Sequence, residues 1–200
     1  MTNPRADLEL KRKVFHAGSG VAAIAAVFIF GPVATAWGLL FLLITGIALL
    51  KLMRKRGLAA LEWCCRHLER PENMEKAPGK SALLYALGCL LTIVLFRDIN
   101  VIAGSIAILA FGDPAAYAAC NFCDLKKFSG ARSYGAFAAG TLVGFAAASF
   151  FVRPAAAFAA SFAAMGADAL FSKRTGWLDD NLVIPVAAGT MLYFIKVFGF

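Results

Sequence analysis

Charge is scarce in this chain. Asp, Glu, Lys and Arg make up 16% of its 200 residues, against about 25% in a soluble domain. Acids are the scarcer sign, 12 against 20 basic residues. Apolar residues reach 60%, where a soluble domain carries about 45–50%. One soluble core cannot hide that surplus, which argues against a soluble globular enzyme and equally against a disordered chain. Familiar catalytic signatures are missing too: there is no P-loop, GxGxxG, HExxH or GxSxG. No repeat of fixed period runs through the chain. The start, Met1 to Lys13, is polar, and no small-residue cleavage site follows a short apolar core. No secretory signal peptide is therefore expected. What is left is an integral membrane protein of one domain, residues 1–200.

What the chain does have is apolar runs. A bilayer-spanning helix needs about 17–25 mostly apolar residues. Seven are expected, over about 14–30, 33–50, 81–96, 99–117, 135–152, 154–171 and 181–198. Gly31-Pro32 separates the first two. Pro154 stands in the first turn of the sixth, where a missing amide is harmless. The expected fold class is an all-α bundle of about seven transmembrane helices. Gly140 and Gly144 form a GxxxG spacing in the fifth span, which is expected to serve close packing within the bundle.

A net charge of +8 would point to nucleic acid in a soluble protein. Here the basic residues sit between the apolar runs, the pattern that orients helices in a bilayer. The expected partner is therefore the membrane and not nucleic acid. With the N-terminus in the cytoplasm, 17 Lys and Arg fall on that side and only Arg97, Arg153 and Lys196 on the other. This orients a multi-pass integral membrane protein, in the plasma or inner membrane if the source is prokaryotic, with its active-site face expected toward the cytoplasm. The segment 51–80 is too polar to span. Within it Leu58, Leu61, Cys65 and Leu68 recur at helical spacing, while Arg66, Glu69 and Arg70 fall on another face. It reads as an amphipathic helix on anionic lipid or as a solvated cytoplasmic connector, ended by Pro71.

Ionisable groups inside spans are costly and usually functional. His16, Asp113, Asp168 and the run Asp179, Asp180, Asn181 all fall near the cytoplasmic ends of their spans, so they are expected to converge at one depth. Between the fourth and fifth spans stand Lys126, Lys127, Arg132 and Ser133. Carboxylates beside bases suit a metal-bound phosphate: carboxylates hold Mg²⁺, while Lys and Arg hold phosphate oxygens. Other uses compete. Asp179 and Asp180 stand where helix caps belong. Lys126 and Lys127 double as positive-inside anchors. Asp113, in an apolar run before Pro114, has the least to do structurally. Cys120 and Cys123 form a CxxC, but no further ligands stand at zinc spacing, and a reducing side disfavours disulfides.

Four segments resemble a known family, the CTP-dependent lipid kinases (dolichol kinase, phytol kinase and the diacylglycerol/polyprenol kinases). Glu9 to His16 is similar to the family's ExxRKxxH opening. The stretch after Gly79 looks like its third span. Phe111 to Tyr117 resembles its GDxxA motif. Asp179 to Pro185 resembles its DDNLxxP signature. The likeness departs after GDxxA, where Cys120 and Asp124 stand at expected glycines. Arg132-Ser133 replaces a Lys-Ser pair, and Tyr134 stands before Gly135 where a Glu is usual.

The resemblance implies phosphoryl transfer from a nucleoside triphosphate, with CTP as donor and Mg²⁺ as cofactor, to a lipid alcohol. It implies Asp113 as metal ligand and catalytic residue. Asp180 and Asn181 would be a second metal contact or orient the hydroxyl. Arg12, Lys13, Lys126, Lys127, Arg132 and Ser133 would hold phosphates, and His16 would bond the phosphate or the acceptor hydroxyl. The GDxxA motif is shared with phosphatidate cytidylyltransferases, which supply the alternative of a CDP-lipid synthase. A non-catalytic relative is the third.

Overall fold

The computed structural model describes residues 4–69, 74, 77–122, 127–129, 132–171 and 179–199. The described residues are almost entirely helical. The exception is a small antiparallel hairpin, β1 (Lys127–Ser129) with β2 (Arg132–Ser133), a scrap of sheet that the all-α expectation did not contain.

The first two expected spans emerge as α1 (Pro4–Arg56), folded in two at Gly31. Gly31 adopts φ 81°, ψ 162°, a region open essentially to glycine alone. Pro32 then supplies no amide to a continuing helix. The contacts require a doubling back. His16, well before Gly31, packs its ring on Tyr85 at 4.1 Å. Gly46, equally far after it, lies where a Cβ would stand 3.3 Å from Leu83. On one straight helix those two positions would be about 45 Å apart, yet both meet the same turn of the next long helix. The arms 4–30 and 32–56 are therefore antiparallel neighbours.

After α1 come α2 (Ala59–Leu68), α3 (Lys80–Leu95) and α4 (Ile99–Ala107). A five-residue π-helical stretch, Ile108–Gly112, joins α4 to α5 (Asp113–Phe122). Then follow α6 (Tyr134–Ala148), α7 (Pro154–Phe171) and α8 (Asp180–Phe198). Four stretches are long and apolar enough to cross a membrane: Leu8–Arg56, Ile99–Cys120, Pro154–Phe171 and Asp180–Phe198. Helices α3 and α6 are apolar but shorter. The fourth run thus extends to Cys120 where 117 was expected. The fifth stops at Ala148 where 152 was expected, because Ser149, Phe150, Phe151 and Val152 form a turn ahead of Pro154.

The core is built around α4, whose residues from Val101 to Ala107 are all buried. It packs against α1, α3, α6 and α8. Small residues bring the helices close. Gly140 and Gly144 of α6 lie against Gly112, Met165 and Ser161, and Ser161 donates to the Thr141 carbonyl at 2.8 Å. The GxxxG spacing thus packs within the bundle. At one end Asp98 caps α4, accepting from the Val101 amide at 2.9 Å, and pairs with Lys196 of α8. The outer face of α1 carries exposed Phe28, Ile29, Val33, Trp37, Phe41 and Ile44, an apolar surface compatible with a membrane-facing helix.

Candidate functional site

The end opposite Asp98 gathers the polar groups. The first arm of α1 brings Arg12, Lys13 and His16. The π-helical stretch delivers Asp113 at the first position of α5. Helix α8 begins there with Asp179, Asp180 and Asn181. Asp113 is 2% exposed. Its Oδ2 accepts from Lys13 Nζ and lies 3.8 Å from His16 Nε2. Lys13 Nζ also stands 5.6 Å over the Tyr117 ring, a cation–π distance. An ion pair this deep needs both partners, because either charge alone would be stranded.

Asp180 is half-buried and within electrostatic reach of both Asp113 and Lys13. Asp179 is within reach of His16. The approach of α8 is fixed at Gly88, where a Cβ would stand 2.0 Å from the Asn181 carbonyl oxygen. No larger residue fits there.

Other candidates have different duties. Arg12 pairs with Glu9 at 2.7 Å. Ser133 is buried and caps α6, its Oγ accepting from the Ala136 amide at 3.1 Å. Asn181 donates through Nδ2 to Asp179 Oδ1 at 2.6 Å, which orders the cap of α8. Caps win these side chains because helix starts leave amides without partners. Asp168 is buried among Ala116, Ala136, Phe137, Met165 and Ala169, so it faces the junction of α5, α6 and α7 rather than the His16 side. Lys127 and Arg132 fall on the β-hairpin. Arg70, Pro71, Cys123, Asp124 and Lys126 lie outside the described residues.

Beside the Lys13–Asp113 pair opens a groove of about 690 Å³. The two arms of α1 and helix α3 form its walls. Its far part is apolar, with Ala22, Ala26, Ala34, Gly38 and Leu39. Its near part holds Arg12, Lys13, His16, Ser81, Tyr85 and Glu69. Helix α2 crosses the near end through Cys64 and Cys65. Leu58, Leu61 and Cys65 are half-buried and Arg66 is exposed, the two faces that the spacing suggests. Glu69 departs from that pattern. It is 3% exposed and accepts from the Ser81 hydroxyl at 2.9 Å and the Ser81 amide at 3.2 Å. Burial of Cys65, with Glu69 beside it, pushes its thiol up from the ordinary value, which disfavours the reactive thiolate.

Sequence reasoning missed Tyr85 and Glu69. For Tyr85 the signal was a lone hydroxyl-bearing ring in an apolar run. For Glu69 there was none, since its partner comes from a separate helix. Among the described residues no three His, Cys, Asp or Glu side chains gather as a metal cluster. In comparisons with family models, curated proteins and solved structures, the chain matches none.

Proposed function

We propose that the protein is a multi-pass membrane enzyme of seven spans that transfers the γ-phosphoryl group of a nucleoside triphosphate, CTP by resemblance, to the hydroxyl of a lipid alcohol. The observation that carries the reading is a buried carboxylate, Asp113, held with Lys13 and His16 at the head of an apolar groove. A phosphate-handling site and a lipid-sized cleft then meet at one point. The two arms of α1 count as two spans and α3 and α6 as two more, which completes seven. The 17-to-3 charge split supports a cytoplasmic position for this end, where the nucleotide is.

The donor set suits Mg²⁺. This ion keeps several waters and takes one or two carboxylates together with substrate phosphates. Asp113 and Asp180 would supply two carboxylates, and an all-protein cage is not needed. When bound, Mg²⁺ would neutralise phosphate charge. The residues do the rest. Lys13, already beside Asp113, is placed to turn toward a phosphate oxygen, with Lys126, Lys127 and Arg132 between α5 and α6 as further cations. The lipid oxygen bonds to the γ-phosphorus, the bond from that phosphorus to the bridging oxygen breaks, and the nucleoside diphosphate leaves. The hydroxyl proton passes to His16 Nε2. Positioning and charge neutralisation account for most of the rate.

The test is purified protein in lipid nanodiscs with labelled CTP or ATP, Mg²⁺ and a panel of lipid alcohols. A phosphorylated lipid supports the kinase. A CDP-lipid with pyrophosphate would make it a cytidylyltransferase. Neither product, from well-folded protein across the panel, would refute an enzymatic role of this kind.

A further inference from the structure

Helix α2 stands between two spaces. On one side is the groove, which it lines with Cys64, Cys65 and, just past its end, Glu69. On the other is a second cavity of about 750 Å³, whose walls include Arg54, Glu62, Arg66 and again Glu69. The partition is one helix thick, and Glu69 belongs to both faces of it.

The way α2 is held differs between its two ends. No residue from Ala59 to His67 is buried. A helix of ten residues is marginal by itself in water, so α2 depends on its attachments and belongs to the less stable parts of the fold. At its start Gly57 adopts φ 62° and closes α1, its amide donating to the Met53 carbonyl at 2.8 Å. A Cβ there would meet nothing within 4 Å, so the joint has space around it. Leu58, the first residue of the joint's far side, supplies no side-chain cap to α2. The other end is fastened. Glu69 is 3% exposed, and its carboxylate accepts from the Ser81 hydroxyl at 2.9 Å and the Ser81 amide at 3.2 Å. Ser81 is in the first turn of α3, whose own N-cap residue, Gly79, has no side chain to offer. Glu69 therefore caps α3 from a distance, and an acid suits a helix N-terminus. A glycine joint at one end and a buried polar fastening at the other make a hinged flap.

We infer that α2 is a gate between the two spaces. It turns about Gly57 when the Glu69–Ser81 fastening lets go, and the near part of the groove, with Arg12, Lys13 and His16, then joins the second cavity. Opening costs α3 its cap, so the closed form is the resting one. Water-soluble groups gain the near part of the groove by this route, whatever occupies its apolar part. The gate is a property of α2 and its two attachments, and it stands apart from the phosphoryl-transfer reading.

The experiment takes the full chain in lipid nanodiscs, without nucleotide, and reads two quantities. Amide hydrogen exchange, resolved along the chain by mass spectrometry, reports the motion of α2. Labelling of Ala86→Cys, at a buried position that lines the groove, reports access; the reagent is a quaternary-ammonium thiosulfonate, and exposed Cys64 is the reference. In the wild type α2 and the first turn of α3 should exchange together and faster than α4. Glu69→Ala should speed both the exchange of α2 and the labelling of Ala86→Cys about tenfold and leave α4 as it was. Ser81→Ala removes the hydroxyl and keeps the amide bond, so it should raise both rates by less. Exchange of α2 as slow as that of α4, or unaltered by Glu69→Ala, would overturn the gate. Faster exchange with unchanged labelling would also overturn it, because α2 would then move without opening anything. Where Glu69→Ala loosens α4 as well or fails to fold, Ser81→Ala carries the test: a rise in both rates with α4 unchanged keeps the gate, and any other result overturns it.

Discussion

Removing Lys13 should hurt more than removing Lys13 and Asp113 together. Asp113 is 2% exposed, and Lys13 is in direct contact with it. In Lys13→Met the carboxylate loses that cation, and the imidazole of His16 stands 3.8 Å away. Breaking a buried pair from one side costs about 3–5 kcal/mol. For a chain of this length that is roughly 6–20 °C in melting temperature. Lys13→Met/Asp113→Leu removes both charges and should recover most of the loss, since replacing a buried pair by apolar residues is often neutral. The assay is a double-mutant cycle on thermal unfolding in detergent, with turnover measured on the same samples. Stability and activity should then part company: the double variant melts near the wild type yet turns over nothing. A Lys13→Met protein as stable as the wild type would refute the pairing argument. A double variant with measurable turnover would remove Asp113 from the chemistry.

Asp113→Asn alone keeps size and hydrogen bonding, and if Asp113 holds the metal, turnover should fall by orders of magnitude while the protein still inserts. Near-normal turnover in a folded variant would sink the metal-ligand role. Gly31→Ala forces a side chain into a conformation that only glycine adopts readily, so it should destabilise by about 1–3 kcal/mol, read as a lower melting temperature; no change would mean that the turn is not at Gly31. Gly88→Ala places a methyl 2.0 Å from the Asn181 carbonyl oxygen; it should cost about 1–3 kcal/mol and displace Asp180, and unchanged turnover would contradict that geometry. At the other end, burial would raise the Asp98 carboxyl, but the bonds from Lys196 and the Val101 amide outweigh it and hold it below the ordinary 3.8. Its folded value is depressed, so its stabilisation is complete above the ordinary value and lost as pH falls through the folded one. The melting-temperature gap between wild type and Asp98→Asn should therefore close in acid, and a gap independent of pH would refute the linkage.

The apolar runs were legible because each fills most of a helix, and Gly31-Pro32 marked the fold in α1 through backbone chemistry alone. Asp113 was legible because an acid in an apolar run has few bland uses. The capping roles of Ser133 and Asn181 were harder to read, since they depend on where helices start, which composition does not fix to the residue. Glu69 was invisible as a site residue, and Tyr85 was marked only by a lone hydroxyl-bearing ring in an apolar run, for a different reason. One needs Ser81 from another helix and the other needs the space at Gly20, where a Cβ would stand 2.5 Å from Tyr85 Oη, and both are facts of packing rather than of pattern. The π-helical stretch left no trace because Ile108 to Gly112 lies in a run that is apolar on every face, so no periodicity could register the change of winding.

That widened turn has a consequence for how the chain tolerates change. A π-helical turn is an α-helix that has absorbed one residue too many, and everything after it is rotated by about 100° relative to an unbroken helix. It works as a gear tooth between a part of the rod that only fills space and a part that aims. Deleting one residue between Ile108 and Gly112 would restore regular winding and leave the greasy half undisturbed, yet it would swing Asp113 and Tyr117 out of line with Lys13. The rod would be sound and the aim lost, so length in this stretch matters more than which apolar residue stands where.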